Sequence, residues 1–68
     1  MGVIIIREMV GSSPESWSAA AADAVARAAS TVRNIRQIEV VRHTAKVDGD
    51  RITGYEVELK LFFEYEGT

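Results

Sequence analysis

A short β-branched run, Val3 to Met9, is followed by Gly11-Ser12-Ser13-Pro14-Glu15-Ser16-Trp17 and then by an alanine-rich stretch that continues to about Val32. This segment marks a helix start. Ser12 or Ser13 is placed to accept a backbone N–H as N-cap, Pro14 suits the first turn, and Glu15 faces the positive end of the helix dipole. A capped helix between two strand-like segments forces a strand, helix, strand, strand order into only 68 residues. A unit of that shape cannot easily cover its own sheet, so function has to be sought in an assembly.

Within the helix, Trp17, Ala21, Ala24, Ala28 and Val32 fall on one stripe at spacings of four and three, with Ala20 and Val25 beside it. Alanine lets a helix approach its partner closely but buries little apolar area per residue. A thin core is the consequence.

The remaining chain reads as two long strands, from Ile35 to about Val47 and from Ile52 to Tyr65, joined by Asp48-Gly49-Asp50, a hairpin signal. In the last strand Tyr55, Val57, Leu59, Leu61, Phe63 and Tyr65 alternate with Glu56, Glu58, Lys60, Phe62 and Glu64, and the first set is assigned to the helix side. In the second strand Ile38 and Val40 suit the buried face. Gln37, Glu39, Val41 and His43 share the opposite one by parity, and Ile35 fits that split badly. A helix of about 17 residues spans roughly 25 Å, too little to blanket both faces of such a ribbon. The second face is left for ligands, ions or neighbouring subunits.

Composition removes several function classes. One domain of this length, covering 1–68, has a core that rarely supplies more than roughly 3–5 kcal/mol. The sequence has no cysteine, so disulfides, thiolate metal sites and cysteine nucleophiles are all excluded, and oligomerisation is the remaining supplement. A net charge of −2 with interspersed signs offers no basic stripe for nucleic acid. No apolar run approaches a membrane span, and Gly2 to Val10 is too short and wrongly flanked for a signal peptide, so a cytoplasmic location is expected. His43 is the single histidine and lacks metal-binding or catalytic companions. The glycines are scattered rather than gathered in a phosphate loop. An enzyme is not expected.

Taken together, Val10-Gly11-Ser12-Ser13-Pro14-Glu15-Ser16-Trp17, Ala26-Arg27-Ala28, Thr31-Val32-Arg33-Asn34-Ile35, Ile38-Glu39-Val40 and the closing Glu56-Val57-Glu58-Leu59-Lys60-Leu61-Phe62-Phe63-Glu64 resemble the dodecin family along essentially the whole chain. The resemblance implies an α+β subunit of β-α-β-β order, its three-stranded antiparallel sheet partly wrapping one helix. The resemblance further implies that twelve such subunits assemble into a hollow homododecamer. It also implies a storage protein that holds a flavin (FMN, FAD or riboflavin) without turnover.

Three positions depart from that pattern. Flavin-binding dodecins stack a second-strand tryptophan, two residues before a Glu-Val pair, on the isoalloxazine ring; the matching residue here is Gln37. A third-strand glutamine that hydrogen-bonds the ring edge is matched by Glu56, which accepts but cannot donate. An arginine common after the Glu-Val pair in bacterial members is matched by Thr44. An aromatic ring buries roughly 150–250 Å², so losing the tryptophan weakens flavin binding by one to several powers of ten. Calcium-type members of the family also lack the tryptophan. Here Glu39, Glu56, Glu58 and Glu64 share one sheet face by parity, and near a threefold axis any of them becomes a ring of three. Glu39 and Glu58 are the candidate ligands for Ca²⁺ or Mg²⁺, with Arg36, Arg42 and Lys60 as competing ion-pair partners. A flavin carrier, a cation-binding shell and a structural shell are the three readings that stand.

Overall fold

The computed structural model describes residues 2–65. Its elements are β1 (Ile4–Ser13), α1 (Trp17–Ala29), β2 (Ile35–Asp48) and β3 (Arg51–Glu64), the expected β-α-β-β order. The sheet order is β1-β3-β2, and β3 is antiparallel to both neighbours. β3 takes the centre because it carries the strongest apolar alternation: Val57, Leu59 and Leu61 are almost completely buried. Since β1 and β2 both oppose β3, they run parallel to each other, and α1 is the crossover that joins them. It lies on β1 and β3.

The helix boundaries differ from the sequence reading. Ser12 and Ser13 belong to β1, paired with Glu56 and Tyr55, and the N-cap is Ser16, whose side chain accepts from the Ala19 N–H at 2.9 Å. Strand pairing holds the two earlier serines extended, and Pro14 disfavours helical geometry in the residue before it. Ser13 Oγ instead accepts from the Glu15 N–H at 3.0 Å, closing a tight turn ahead of the cap. Glu15 therefore precedes the cap, and the first turn of α1 has no acidic residue. At the other end Ser30 caps the helix, and the N–H groups of Thr31 and Val32 reach back to the Ala28 carbonyl at 3.1 and 2.8 Å. Asn34, at φ 63°, then turns the chain into β2.

The buried helix stripe is Ala20, Ala24 and Ala28: Ala24 and Ala28 lie on the expected stripe, which is rotated slightly so that Ala20 takes the place of Ala21 and Trp17. Gly11 explains the rotation: a Cβ there would run into the Ala20 carbonyl oxygen and come within 2.9 Å of Ala24 Cβ. The backbone of α1 thus rests directly on β1, and the residues facing Gly11 must be the smallest on the helix. Ala20, Ala24, Val57 and Leu59 form the core, with Met9, Ala21 and Ile38 packed against it. Tyr65, expected on the helix side, lies beyond the end of β3 and is exposed.

Register shifts occur between Ile35 and Gln37, between Val40 and Arg42, and between Lys46 and Val47. Each adds a residue and reverses parity. The first reconciles Ile35 with the buried face, where it pairs with Phe63. The second, at Val41, places His43 opposite Val57 and so on the helix side, against the sequence expectation. The hairpin closes with Asp48 opposite Arg51. Gly49, at φ 67°, supplies the positive φ that a two-residue turn needs at its first central position.

A compact chain of this length has a radius of gyration of about 11 Å, whereas this subunit measures 14.0 Å and is 53 Å long by 12 Å thick. The helix covers one sheet face and leaves the other open.

Candidate functional site

The open sheet face gathers the residues singled out from the sequence. Side chains of directly paired residues share a face, so the register fixes the membership. Across β2 and β3 the pairs are Gln37 with Phe62, Glu39 with Lys60, Arg42 with Glu58, and Thr44 with Glu56. From β1, Ile6 stands beside Phe62, Glu8 beside Lys60, and Val10 beside Glu58. Glu39, Glu56, Glu58 and Glu64 share this face as parity required.

Cross-strand cations engage three of these carboxylates. Arg36 reaches Glu64 at 2.8 Å, Arg42 reaches Glu58 at 3.8 Å, and Lys46 reaches Glu56 at 3.7 Å. Glu39 and Glu8 flank Lys60 from either side without an ion pair within 4 Å among the described residues. Among those residues no three acidic or histidine side chains converge as a metal site within one chain. A shallow groove of about 200 Å³ follows the Val41 bulge and is lined by Glu8, Val10, Val41, Glu58 and Lys60 among others. Glu8 is not among the candidate ligands read from the sequence, although its parity in β1 marks it as a member of the acidic face.

The three positions that match the flavin site divide into two places. Thr44 and Glu56 are direct partners, while Gln37 pairs with Phe62, six residues further along β3, about 20 Å away at roughly 3.4 Å per residue. One chain does not bring them together. Gln37 is exposed, and the ring opposite it, Phe62, is half-buried.

Trp17 holds the far end of the sheet from the helix side. Its indole N–H donates to the Thr44 carbonyl at 2.8 Å, and its ring meets Tyr55 and His43 edge-on at centroid distances of 4.9 and 5.8 Å. It remains 37% exposed, a bracket between α1 and β2 rather than a core residue, and it stands on the opposite side of the sheet from Gln37. His43 serves as one wall of that bracket.

The dodecin family model matches residues 3–66. This chain belongs to the dodecin family. It is similar to the calcium dodecin of Mycobacterium tuberculosis, at 36% identity over 64 residues, covering 94% of this chain and 90% of that protein. The crystal structure of that organism's calcium dodecin, described as a calcium-chelating immunodominant antigen with a novel calcium-binding site, matches with a TM-score of 0.82 at 34% identity, over 97% of this chain and 94% of that one. An arginine-to-alanine variant of the Thermus thermophilus dodecin superposes with a TM-score of 0.95 at 32% identity, covering the whole of both chains. No described helix is long and apolar enough to cross a membrane.

Proposed function

We propose that this chain is one subunit of a hollow homododecamer that binds a small ligand without turnover, and that the ligand is a divalent cation, calcium foremost. The observation that carries this reading is the open sheet face: it presents Glu8, Glu39, Glu56 and Glu58 but has Gln37 where a flavin needs a flat stacking partner. The similarity to a protein named calcium dodecin supports it. Assembly is supported by the elongated 14.0 Å subunit and by the exposed Ile4, Ile6, Val10 and Val41 on the same face.

Glu39 and Glu58 are the proposed ligands. They are diagonal neighbours, about 7–8 Å apart at Cα, so a single chain supplies part of a coordination shell and symmetry-related copies supply the rest. Calcium takes six to eight oxygens, more than the two carboxylates of Glu39 and Glu58 present. Arg42 competes for Glu58, but an exposed ion pair at 3.8 Å is worth only about 0–1 kcal/mol. A divalent ion held by several carboxylates displaces it.

Phe62, directly opposite Gln37, favours a second reading, in which a planar ligand such as a flavin stacks weakly on that ring, with Thr44 and Glu56 contributed by another subunit. Native mass spectrometry of freshly purified protein separates the two. A mass of twelve subunits plus metal supports the first, and retained flavin supports the second. Calcium should raise the melting temperature, and Glu39→Gln or Glu58→Gln should abolish the rise. A melting curve indifferent to calcium and magnesium would sink the cation reading, leaving a structural shell.

A further inference from the structure

We propose that the groove between the α1–β2 loop and the end of β3 binds the phosphate group of a small molecule through Arg7 and Arg33. The groove has a volume of about 370 Å³ and is lined by Arg7, Thr31, Arg33, Asn34, Phe63 and Glu64 among others. Arg7 projects from β1 with its guanidinium carbon 5.7 Å from the centroid of the Phe63 ring, which steadies the side chain without consuming its charge. Neither Arg7 nor Arg33 makes an ion pair among the described residues.

Three of the groups that would repel an anion here are already engaged. The Glu64 carboxylate is turned to Arg36 at 2.8 Å. Near the end of α1, the Arg27 carbonyl accepts from the Ser30 N–H and hydroxyl at 3.2 and 2.7 Å, and the Ala28 carbonyl from Thr31 and Val32. The loop is fixed in place, because the Asn34 carbonyl accepts from the Glu64 N–H at 3.0 Å, so Arg33 is tethered close to the end of β3 where Arg7 also lies. Two arginines lining one open groove offer guanidiniums suited to the planar, bidentate recognition of phosphate oxygens. A net charge of −2 concealed this site, because its two arginines stand on either side of the helix in sequence. It borders the acidic sheet face only at Glu64 and does not depend on the cation reading.

Isothermal titration of the assembled protein at constant ionic strength, with inorganic pyrophosphate and with adenosine diphosphate as probes, tests the assignment. Binding of either probe supports it: tighter binding of adenosine diphosphate identifies a phosphorylated organic ligand, and equal affinity identifies the phosphate group alone. Loss of a charge-assisted hydrogen bond to phosphate should weaken binding by roughly tenfold or more in Arg33→Gln and in Arg7→Gln. Arg51→Gln, at the distant hairpin end, should leave it unchanged. If Arg7→Gln fails to fold, Arg33→Gln decides alone, since its side chain is exposed in a loop. Absence of binding to both probes overturns the proposal, as does undiminished binding in Arg33→Gln.

Discussion

Replacing Gly11 with alanine adds one methyl group at the point where helix and sheet approach most closely. Gly11 is buried in β1 opposite Val57, and its φ lies outside the left-handed region, so the requirement for glycine is steric. The new Cβ would strike the Ala20 carbonyl oxygen and lie 3.2 Å from the Ala20 carbonyl carbon and 2.9 Å from Ala24 Cβ. Carbon contacts are comfortable at about 3.5–4.0 Å, and a main-chain oxygen cannot rotate aside. The helix must lift by roughly 1 Å, loosening Ala20 and Ala24 from Val57 and Leu59. Overpacking of this kind costs about 1–3 kcal/mol, while alanine's restriction of the unfolded chain returns about 0.4–1 kcal/mol. The net loss is about 1–2 kcal/mol, or roughly 5–15 °C in melting temperature.

Thermal melts at fixed protein concentration, which matters for an oligomer, measure this loss when run beside Gly54→Ala. Gly54 lies in β3 with nothing within 4 Å of a built Cβ, so its replacement should be neutral or stabilising by about 0.5 kcal/mol. Adding Ala24→Gly to Gly11→Ala should not restore stability, because the backbone oxygen remains. The steric account is refuted if Gly11→Ala melts with the wild type, or if both single variants shift alike.

Leu61→Ala removes a side chain with no exposed surface and should cost about 2–5 kcal/mol, seen as loss of assembled protein in light scattering. Trp17→Phe keeps a ring against Tyr55 but deletes the hydrogen bond to Thr44, at a cost of about 0.5–1.5 kcal/mol; hydrogen exchange should rise selectively near Thr44, and uniform exchange would contradict the bracket role. Gln37→Trp should raise flavin affinity at least tenfold, detected as quenching of flavin fluorescence on titration. Unchanged affinity would show that Gln37 is not the position that decides flavin binding.

The order of elements was legible because its signals are local: the alanine run, the β3 alternation and the Asp-Gly turn each depend on neighbouring residues. The N-cap was misplaced because Gly11-Ser12-Ser13 looks like a helix start until its pairing with Tyr55, Glu56 and Val57 is known. That pairing is a long-range fact. His43 went to the wrong face for a related reason, since Val41 carries no bulge signature such as glycine, and a single inserted residue reverses every later side chain. The open-face carboxylates were legible because β3 between Glu56 and Glu64 is regular. Arg7 and Arg33 were not, because only the fold brings both ends of the helix crossover to one groove.

The bulges bear directly on where a ligand can sit. Gln37 and Glu39 precede the Val41 insertion, whereas Thr44 and its partner Glu56 follow it. These two groups occupy the same face yet stand up to about 20 Å apart, farther than one small ring system or one ion can bridge. A monomer therefore offers only fragments: carboxylates partly compensated by Arg42 and Lys46, and a glutamine beside Phe62. On the proposed reading the second fragment comes from another copy, which links ligand affinity to assembly. Ligand should stabilise the oligomer, and dilution to the subunit should release the ligand together with the quaternary structure. On the proposed reading, the sheet face that the helix leaves uncovered is the same surface from which the binding sites are built.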